Sequence, residues 1–324
     1  MKRLKDTLGS AIIAATLVVA PLSAANAQRP SGPPALVSHQ IATGTYWIEG
    51  DAANTGFVVG RDGVVVIDTQ RSADVARLQI AQIARVTPKP VKTIIVTHGD
   101  PDHVGGLMAY SAGSTIIAHE NTRAQILATA REPDGTSPSL PTYRAIAAER
   151  LPNRTIGSTE TIMADGVVIT LLHVAPAHSS GDLVVFLPRQ KVAYVGDLLT
   201  VRDGTFPIIH VGGSSEGWIR TLRAVLSLKA DTFVAGHGGL MTRQELRTLL
   251  QQVEERREAI KALAYQGKSI AEINAALPET KTSPMFLSFN ETTYFELMDG
   301  YPDAQPPWAS LAPNDHRRRK ALVH

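Results

Sequence analysis

The feature that most constrains this chain is the stretch 97–106, THGDPDHVGG, which directly follows the apolar run 92–96. The run is rich in β-branched residues and predicts a buried strand, so the polar stretch begins where that strand ends. Four potential metal ligands fall within six residues of it: His98, Asp100, Asp102 and His103. Imidazoles and carboxylates on a short loop can converge on cations. The stretch therefore predicts a metal site at the end of a strand.

The conformation of this stretch follows from its proline and glycines. Pro101, Gly105 and Gly106 indicate a turn rather than a regular helix through the ligands. We expect a helix to begin only at Val104, directly after them. The chain contains no cysteine, so a metal site in it must be built from nitrogen and oxygen ligands.

The stretch resembles the His-x-His-x-Asp-His signature of the metallo-β-lactamase superfamily, and the resemblance extends over residues 44–239. One position departs from it, because Asp100 stands where the signature has its second histidine. The resemblance implies an α/β fold, the four-layer αββα sandwich of that family, with metals at one edge between two sheets. The alternation of predicted strands and helices in two similar halves agrees with that architecture.

Three further ligand-type residues lie next to the ends of predicted strands in the second half of the chain: His178, Asp197 and His237. Neighbouring glycine or serine residues suit a site at the rim of a sheet. In the family these positions match the third histidine of the first metal, the carboxylate that bridges both metals and the last histidine of the second metal.

The resemblance therefore implies two divalent cations, most simply zinc, with manganese or iron as alternatives. The first cation would be held by His98, Asp100 and His178. The second would be held by Asp102, His103 and His237. Asp197 would bridge the two.

A two-metal site of this kind predicts hydrolysis by a metal-bound hydroxide. Asp102 is the candidate catalytic residue, because it could also orient that hydroxide. The candidate substrates are small molecules with an ester, lactone, thioester or β-lactam carbonyl, and sulfate or phosphate esters are also admissible. Two alternatives stay open. His98, Asp100 and His178 form a set that suits an iron-dependent oxidoreductase, and the metals could instead be structural ties in a non-catalytic protein.

Other polar residues near predicted strand ends have less specific interpretations. Asp68 could support the metal-binding loop from behind or could cap a turn. His119 and His173 are interpreted as packed structural histidines. The segment 205–215 should overhang the metals, with Phe206, Ile208 and Ile209 forming an apolar face for substrate. His210 either contacts substrate or is exposed, and exposure is the favoured interpretation.

Residues 1–27 resemble a secretory signal, with a basic start, a short apolar core and an Ala-Asn-Ala cleavage site. We expect a periplasmic or secreted protein without stable membrane insertion after cleavage. The chain has 32 basic and 30 acidic residues, and removing the signal's three basic and one acidic residues leaves 29 of each. This balance gives no reason to expect a nucleic-acid partner.

The remaining organisation follows from composition. Residues 28–241 form the predicted metallo-β-lactamase-like domain. Residues 242–298 form a helical extension that opens with a capping box at Thr242 and Glu245 and serves packing or homodimer formation. Residues 299–324 form a loosely ordered tail. The proline- and serine-rich loop 131–141 is a lid or a simple insertion, and its composition does not decide between them.

Overall fold

In a computed structural model of the chain, residues 36–50, 52–201, 206–210, 212–280 and 287–298 are described. Within these ranges the strands form two sheets. The first sheet has seven strands in chain order. They are β1 Val37–Ala42, β2 Thr45–Glu49, β3 Thr55–Val59, β4 Val64–Ile67, β5 Val91–Ile95, β6 Thr115–His119 and β7 Arg154–Ile156.

The second sheet has six strands within the same ranges, in the order β13-β12-β11-β10-β9-β8. They are β8 Glu160–Ala164, β9 Val167–Leu172, β10 Val184–Leu187, β11 Val192–Thr200, β12 Thr232–His237 and β13 Leu240–Thr242. Strands β4 to β7 pair in parallel in the first sheet, and β11 pairs in parallel with β12 in the second. Six of the seven predicted ligands lie on or directly after the strands β5, β11 and β12, which have parallel neighbours, whereas His178 lies in the loop between the antiparallel strands β9 and β10.

The described helices divide between the two halves of the chain. The first half has α1 Ala73–Val86, the single turn α2 Pro101–Val104, α3 Glu120–Ala130 and α4 Leu140–Ala145. The second half has α5 Ser215–Ser227, α6 Arg243–Tyr265, α7 Ile270–Ala276 and α8 Phe289–Met298. The predicted capping box of Thr242 and Glu245 is present at the start of α6, and Ser269 and Glu272 form a second one at the start of α7.

Strand β4 shows how the layers are built, because alternate side chains of a strand point to opposite faces. Val64 and Val66 pack with α1, α3 and α4 in one apolar cluster. Val65 and Ile67 pack in a second cluster, between the two sheets. A third apolar cluster joins the outer face of the second sheet to α5, α6, α7 and α8. The order of layers is helix, sheet, sheet, helix, which confirms the predicted αββα sandwich.

The predicted turn at Pro101 is wrong in one respect. Pro101–Val104 forms one helical turn that contains Asp102 and His103, with Pro101 in its first turn. Proline is favoured there, because its missing N–H has no partner within a helix at that position and its φ angle is already helical. The proline therefore starts a helix through the ligands instead of preventing one.

The part of the chain that the structure describes contains no helix long and apolar enough to cross a bilayer. The predicted signal at 1–27 and tail at 299–324 lie outside the described residues, as do Thr205 and Val211 of the predicted loop.

Candidate metal centre

A single carboxylate behind the site supports two of its histidines. Asp68 follows β4, and its Oδ2 lies 2.9 Å from His103 Nδ1. The Asp68 carboxylate also accepts hydrogen bonds from the Thr97 backbone N–H and the Thr97 hydroxyl, both at 2.8 Å. Thr97 Oγ1 in turn lies 3.1 Å from His98 Nδ1. Of the two interpretations left open for Asp68, support of the metal loop is the one that the structure bears out.

These hydrogen bonds determine which ring nitrogen of each histidine remains available to bind a metal. The Thr97 hydroxyl donates its proton to Asp68, so its oxygen accepts the His98 Nδ1–H. His103 donates its Nδ1–H to Asp68, and His178 donates its Nδ1–H to the carbonyl of Ile208 at 2.8 Å. Each of these three imidazoles therefore presents the lone pair of Nε2 to the site, which is the tautomer that binds a metal.

One group of ligand atoms corresponds to the predicted second metal position. Asp102, His103 and His237 each place a ligand atom within 4.8 Å of the others. The carboxylate of Asp102 lies 3.4 Å from His237 Nε2 and 3.9 Å from His103 Nε2. His237 is the last residue of β12 in the second sheet. Asp102 and His103 lie in α2, the helical turn that follows β5 of the first sheet.

A second group corresponds to the first metal position, with one difference in membership. His98, His178 and Asp197 place ligand atoms within 4.8 Å of one another. Asp100 lies beside this group, with its Oδ2 3.5 Å from His98 Nε2 and 3.2 Å from His178 Nε2. Asp100 was expected in this group, and the structure brings it to the same two histidines.

Asp197 lies between the two groups, as expected of a bridging carboxylate. Its Oδ1 is 3.1 Å from His103 Nε2, and its Oδ2 is 3.0 Å from His237 Nε2 and 3.9 Å from His178 Nε2. The sequence placed Asp197 after a strand, whereas β11 continues through it to Thr200. Gly196 has a φ of +54° and the pairing of β11 with β12 shifts there. This irregularity directs Asp197 toward the site.

The donor set fits divalent cations. His98 Nε2, His103 Nε2 and Asp197 Oδ1 are buried and have no hydrogen-bond partner among the described residues. Buried polar atoms are nearly always paired, so three unpaired acceptors facing one another indicate an absent positive ligand. Imidazole and carboxylate ligands without thiolate suit zinc, manganese or iron.

The electrostatics without metal show how strongly the groups interact. Burial would raise the pKa of the Asp197 carboxyl, but His103 and His237 outweigh burial and hold the pKa well below its usual range. Burial would lower the pKa of His103, but Asp197 and Asp68 outweigh burial and hold it well above its usual value. The carboxylates thus stabilise positive charge at the positions where a cation would lie.

Exposure was favoured for His210 over contact with substrate, and the structure places its side chain in the site. Its Nδ1 lies 2.8 Å from Asp100 Oδ2, and its ring centroid lies 4.3 Å from that of His178. Asp100, His178 and His210 form a third group whose ligand atoms lie within 4.8 Å of one another. No motif in the sequence links position 210 to position 100, so only the folded chain shows this contact.

The loop that carries His210 has a different orientation from the predicted one. Phe206 stacks on Phe289 of α8, at 5.6 Å between ring centroids, and Arg256 lies 4.4 Å over its ring. Ile209 is buried in the cluster under α5 and α6. These two apolar side chains therefore anchor the loop on the C-terminal helices and do not form the expected substrate face.

The other two histidines near strand ends pack together. His119 and His173 stack with ring centroids 3.8 Å apart. His119 Nδ1 accepts from the Asn121 backbone and caps α3, and His173 Nδ1 contacts the Asp182 carbonyl at 2.9 Å. Their structural interpretation agrees with these contacts.

Fold and site together define a mixed α/β protein with two sheets and, near the strand ends between them, a cluster of histidine and aspartate side chains that could hold metal ions. The family model of the metallo-beta-lactamase superfamily matches residues 48–237. The chain belongs to this superfamily, as its motif predicted.

Comparison with individual proteins gives more distant similarities. The chain is 30% identical over 214 residues to the 2,4-dinitroanisole O-demethylase subunit alpha of Nocardioides sp., a match that covers 65% of this chain and 60% of that protein. A metallo-beta-lactamase from Pontibacter korlensis is similar in structure with a TM-score of 0.55 and 20% identity, covering 67% of this chain and 99% of that one. The sec-alkylsulfatase Pisa1 from Pseudomonas sp. has a TM-score of 0.63 and 17% identity, covering 89% of this chain and 54% of that one.

Proposed function

We propose that this protein is a metal-dependent hydrolase that cleaves an ester or an activated ether of a small molecule. The observation that carries the proposal is the convergence of seven predicted ligand side chains, three of which present buried acceptor atoms without a partner. Two divalent cations bound there would polarise the substrate and lower the pKa of a coordinated water.

The chemical class of the substrate is inferred from the relatives. Two subunits of an O-demethylase and two sulfatases are among the curated proteins that match this chain. By their names these proteins act on a methyl ether and on sulfate esters. The matched region covers only 60% and 40% of the first two of them, so a shared substrate is part of the proposal.

The residues of this chain have defined parts in the reaction. Hydrolysis adds water across the C–O or S–O bond, and the departing alkoxide or phenoxide takes a proton. Asp102 is the proposed proton acceptor and later donor, because its side chain is the most open of the seven, with 27% exposed, and stands beside His237. His98, His103 and His178 are held in fixed tautomers, which allows the site to bind cations without rearrangement.

The test is reconstitution of purified protein. Metal-free protein is loaded with zinc, manganese or iron and assayed against sulfate esters, nitroaryl methyl ethers, lactones, thioesters and β-lactams. We expect turnover of at least one ester or ether, loss of turnover on chelation, and loss in Asp197→Asn. His39→Ala, which changes an exposed histidine on β1, is the matched control and should behave as wild type. Turnover that persists with no metal detectable by elemental analysis would contradict the proposal.

A second function is favoured by one observation. His98, His178 and Asp100 lie together and form two histidines and a carboxylate, a set that suits iron(II). An iron-dependent oxidoreductase would consume dioxygen when loaded with iron and would be inactive with zinc. Oxygen uptake measured with the same substrate panel separates the two functions.

A further inference from the structure

The contact between Asp100 and His210 bears on the one position where this chain departs from the family signature. Asp100 brings a negative charge to the first metal position in place of a neutral imidazole. Its side chain is 11% exposed and that of His210 is 22% exposed, so the pair is mostly shielded from water. A charge-assisted N–H···O bond is typically about 2.7–2.9 Å long, and the observed separation of 2.8 Å falls in that range.

The tautomers of the other histidines leave His210 as the hydrogen-bond donor. His98 directs its Nδ1–H to Thr97 Oγ1, and His178 directs its Nδ1–H to the Ile208 carbonyl. In these neutral tautomers, the Nε2 atoms of both rings carry lone pairs and cannot donate to Asp100. A carboxylate oxygen has more than one lone pair, so Oδ2 can accept from His210 and still face a cation.

The backbone holds His210 in place for this contact. The His210 N–H donates to the His178 carbonyl at 2.7 Å, and the His210 carbonyl accepts from the Gly213 N–H at 2.9 Å. Ser214 then donates to the Ala177 carbonyl at 2.9 Å. The loop is thus bonded on both sides of His210, to the segment that carries the ligand His178.

We propose that His210 is a positioning residue for the first metal position: its Nδ1–H donates to the Asp100 carboxylate and orients it toward the cation. The inference rests on the proposed function, in which the two groups of ligands bind divalent cations. His210 acts through Asp100. Its N–H gives the carboxylate at position 100 a hydrogen-bond partner.

The experiment measures metal binding rather than turnover. Metal-free wild type, His210→Ala, His210→Asn and the control His39→Ala are titrated with Co²⁺ against a competing chelator while the visible absorption of the bound ion is recorded. We expect two equivalents bound in wild type and His39→Ala. In His210→Ala, the affinity of one equivalent should fall by about ten- to a hundredfold, a usual effect of removing a hydrogen-bond partner of a ligand. The spectrum of that equivalent should change as well.

The asparagine variant separates positioning from other roles. An amide N–H can replace Nδ1–H near the same place, so His210→Asn should recover most of the lost affinity. Complete loss of one metal in both variants would show that His210 is itself a metal ligand. Unchanged metal affinities and spectra in both variants would show that His210 has no part in metal binding. Either result overturns the inference. Thermal unfolding of the metal-free variants checks that they are folded, and the asparagine variant keeps the test decisive if alanine is not tolerated. Failure of wild type to bind any Co²⁺ would instead contradict the proposed function.

Discussion

The carboxylate of Asp68 lies 2.9 Å from His103 Nδ1 and, through the Thr97 hydroxyl, also supports His98. One residue at the end of β4 therefore orients a histidine in each of the two groups of ligands. Asp68 itself is 2% exposed and has a φ of +59°, an uncommon backbone conformation for a residue other than glycine. Such a conformation is consistent with a residue whose side chain must be aimed at one place.

We predict that Asp68→Asn weakens binding at both metal positions. His103 Nδ1 and the Thr97 hydroxyl share Asp68 Oδ2, so an amide NH2 in that place removes the acceptor that supports a histidine of each group; in place of Oδ1 it removes the acceptor of the Thr97 backbone N–H. Loss of such a partner typically lowers metal affinity by about 10- to 100-fold. Chelator competition with zinc measures both sites, and Asp62→Asn, in an exposed turn, is the control. Wild-type affinity at both sites in Asp68→Asn would contradict the assigned role.

The pKa directions predict that the metal-free protein loses stability as pH rises through the range in which its histidines lose their protons. The stability that a bound metal adds should instead increase as pH rises. The raised pKa of His103 contributes stability to metal-free protein below the unfolded value of about 6.5, and this contribution is lost as pH rises through the folded pKa. The depressed pKa of Asp197 contributes stability above the unfolded value of about 3.9, and this contribution is lost as pH falls. Metal binding requires deprotonated histidines, so the metal adds more stability as pH rises.

The melting temperature of metal-free and zinc-loaded protein between about pH 5 and 9 measures this effect. We expect the metal-free curve to fall above about pH 6.5 and the difference between the two curves to grow. In metal-free Asp197→Asn the fall should be shallower, because His103 loses its largest favourable partner. A metal-induced increase that is independent of pH would contradict the assignment of these histidines as ligands.

The sequence predicted the features that depend on local pattern. The apolar, β-branched run 92–96 is enough to predict β5, and the dense set of ligands after β5 is enough to predict the site and its family. The contact of His210 with Asp100 could not be predicted, because the two residues are far apart in the chain and no spacing relates them. The direction of Asp197 depends on a register shift at Gly196, which only the pairing of β11 with β12 reveals.

We predict that Asp100→His raises the preference for zinc over manganese and iron, because imidazole is the softer ligand. The same change removes one negative charge and should shift the pH–rate profile toward lower pH. Asp100→Ala should weaken the first position while Asp102, His103 and His237 still hold one metal. Elemental analysis and pH–rate profiles test both variants. Unchanged metal content and profile in both would show that Asp100 takes no part in binding.

The C-terminal helices provide a stability prediction. Glu296 of α8 is 1% exposed, and its carboxylate accepts hydrogen bonds from the Ser215 backbone N–H at 2.5 Å and from the Ser215 hydroxyl. Arg257 Nε also donates to the Ser215 hydroxyl oxygen, at 3.2 Å. Glu296→Ala leaves these buried donors unpaired and should cost about 2–4 kcal/mol in the free energy of unfolding. Glu296→Gln, which keeps one acceptor oxygen, should cost less. Urea unfolding measures both, with Glu258→Ala on the exposed side of α6 as the control.

Gly236 of β12 offers the sharpest test of Asp197 as the shared carboxylate. A Cβ atom at position 236 would lie 1.9 Å from Asp197 Oδ1 and 2.8 Å from the carbonyl carbon of Gly196. Gly236→Ala must therefore displace the Asp197 carboxylate, and we expect the affinities of both metals to fall together by about tenfold or more. Gly239→Ala is the matched control, because a Cβ there meets no atom within 4 Å. Metal titration of the two variants, with thermal unfolding to verify that both fold, should separate them clearly. If Gly236→Ala weakens only one metal, Asp197 serves a single position and the shared-carboxylate model is wrong.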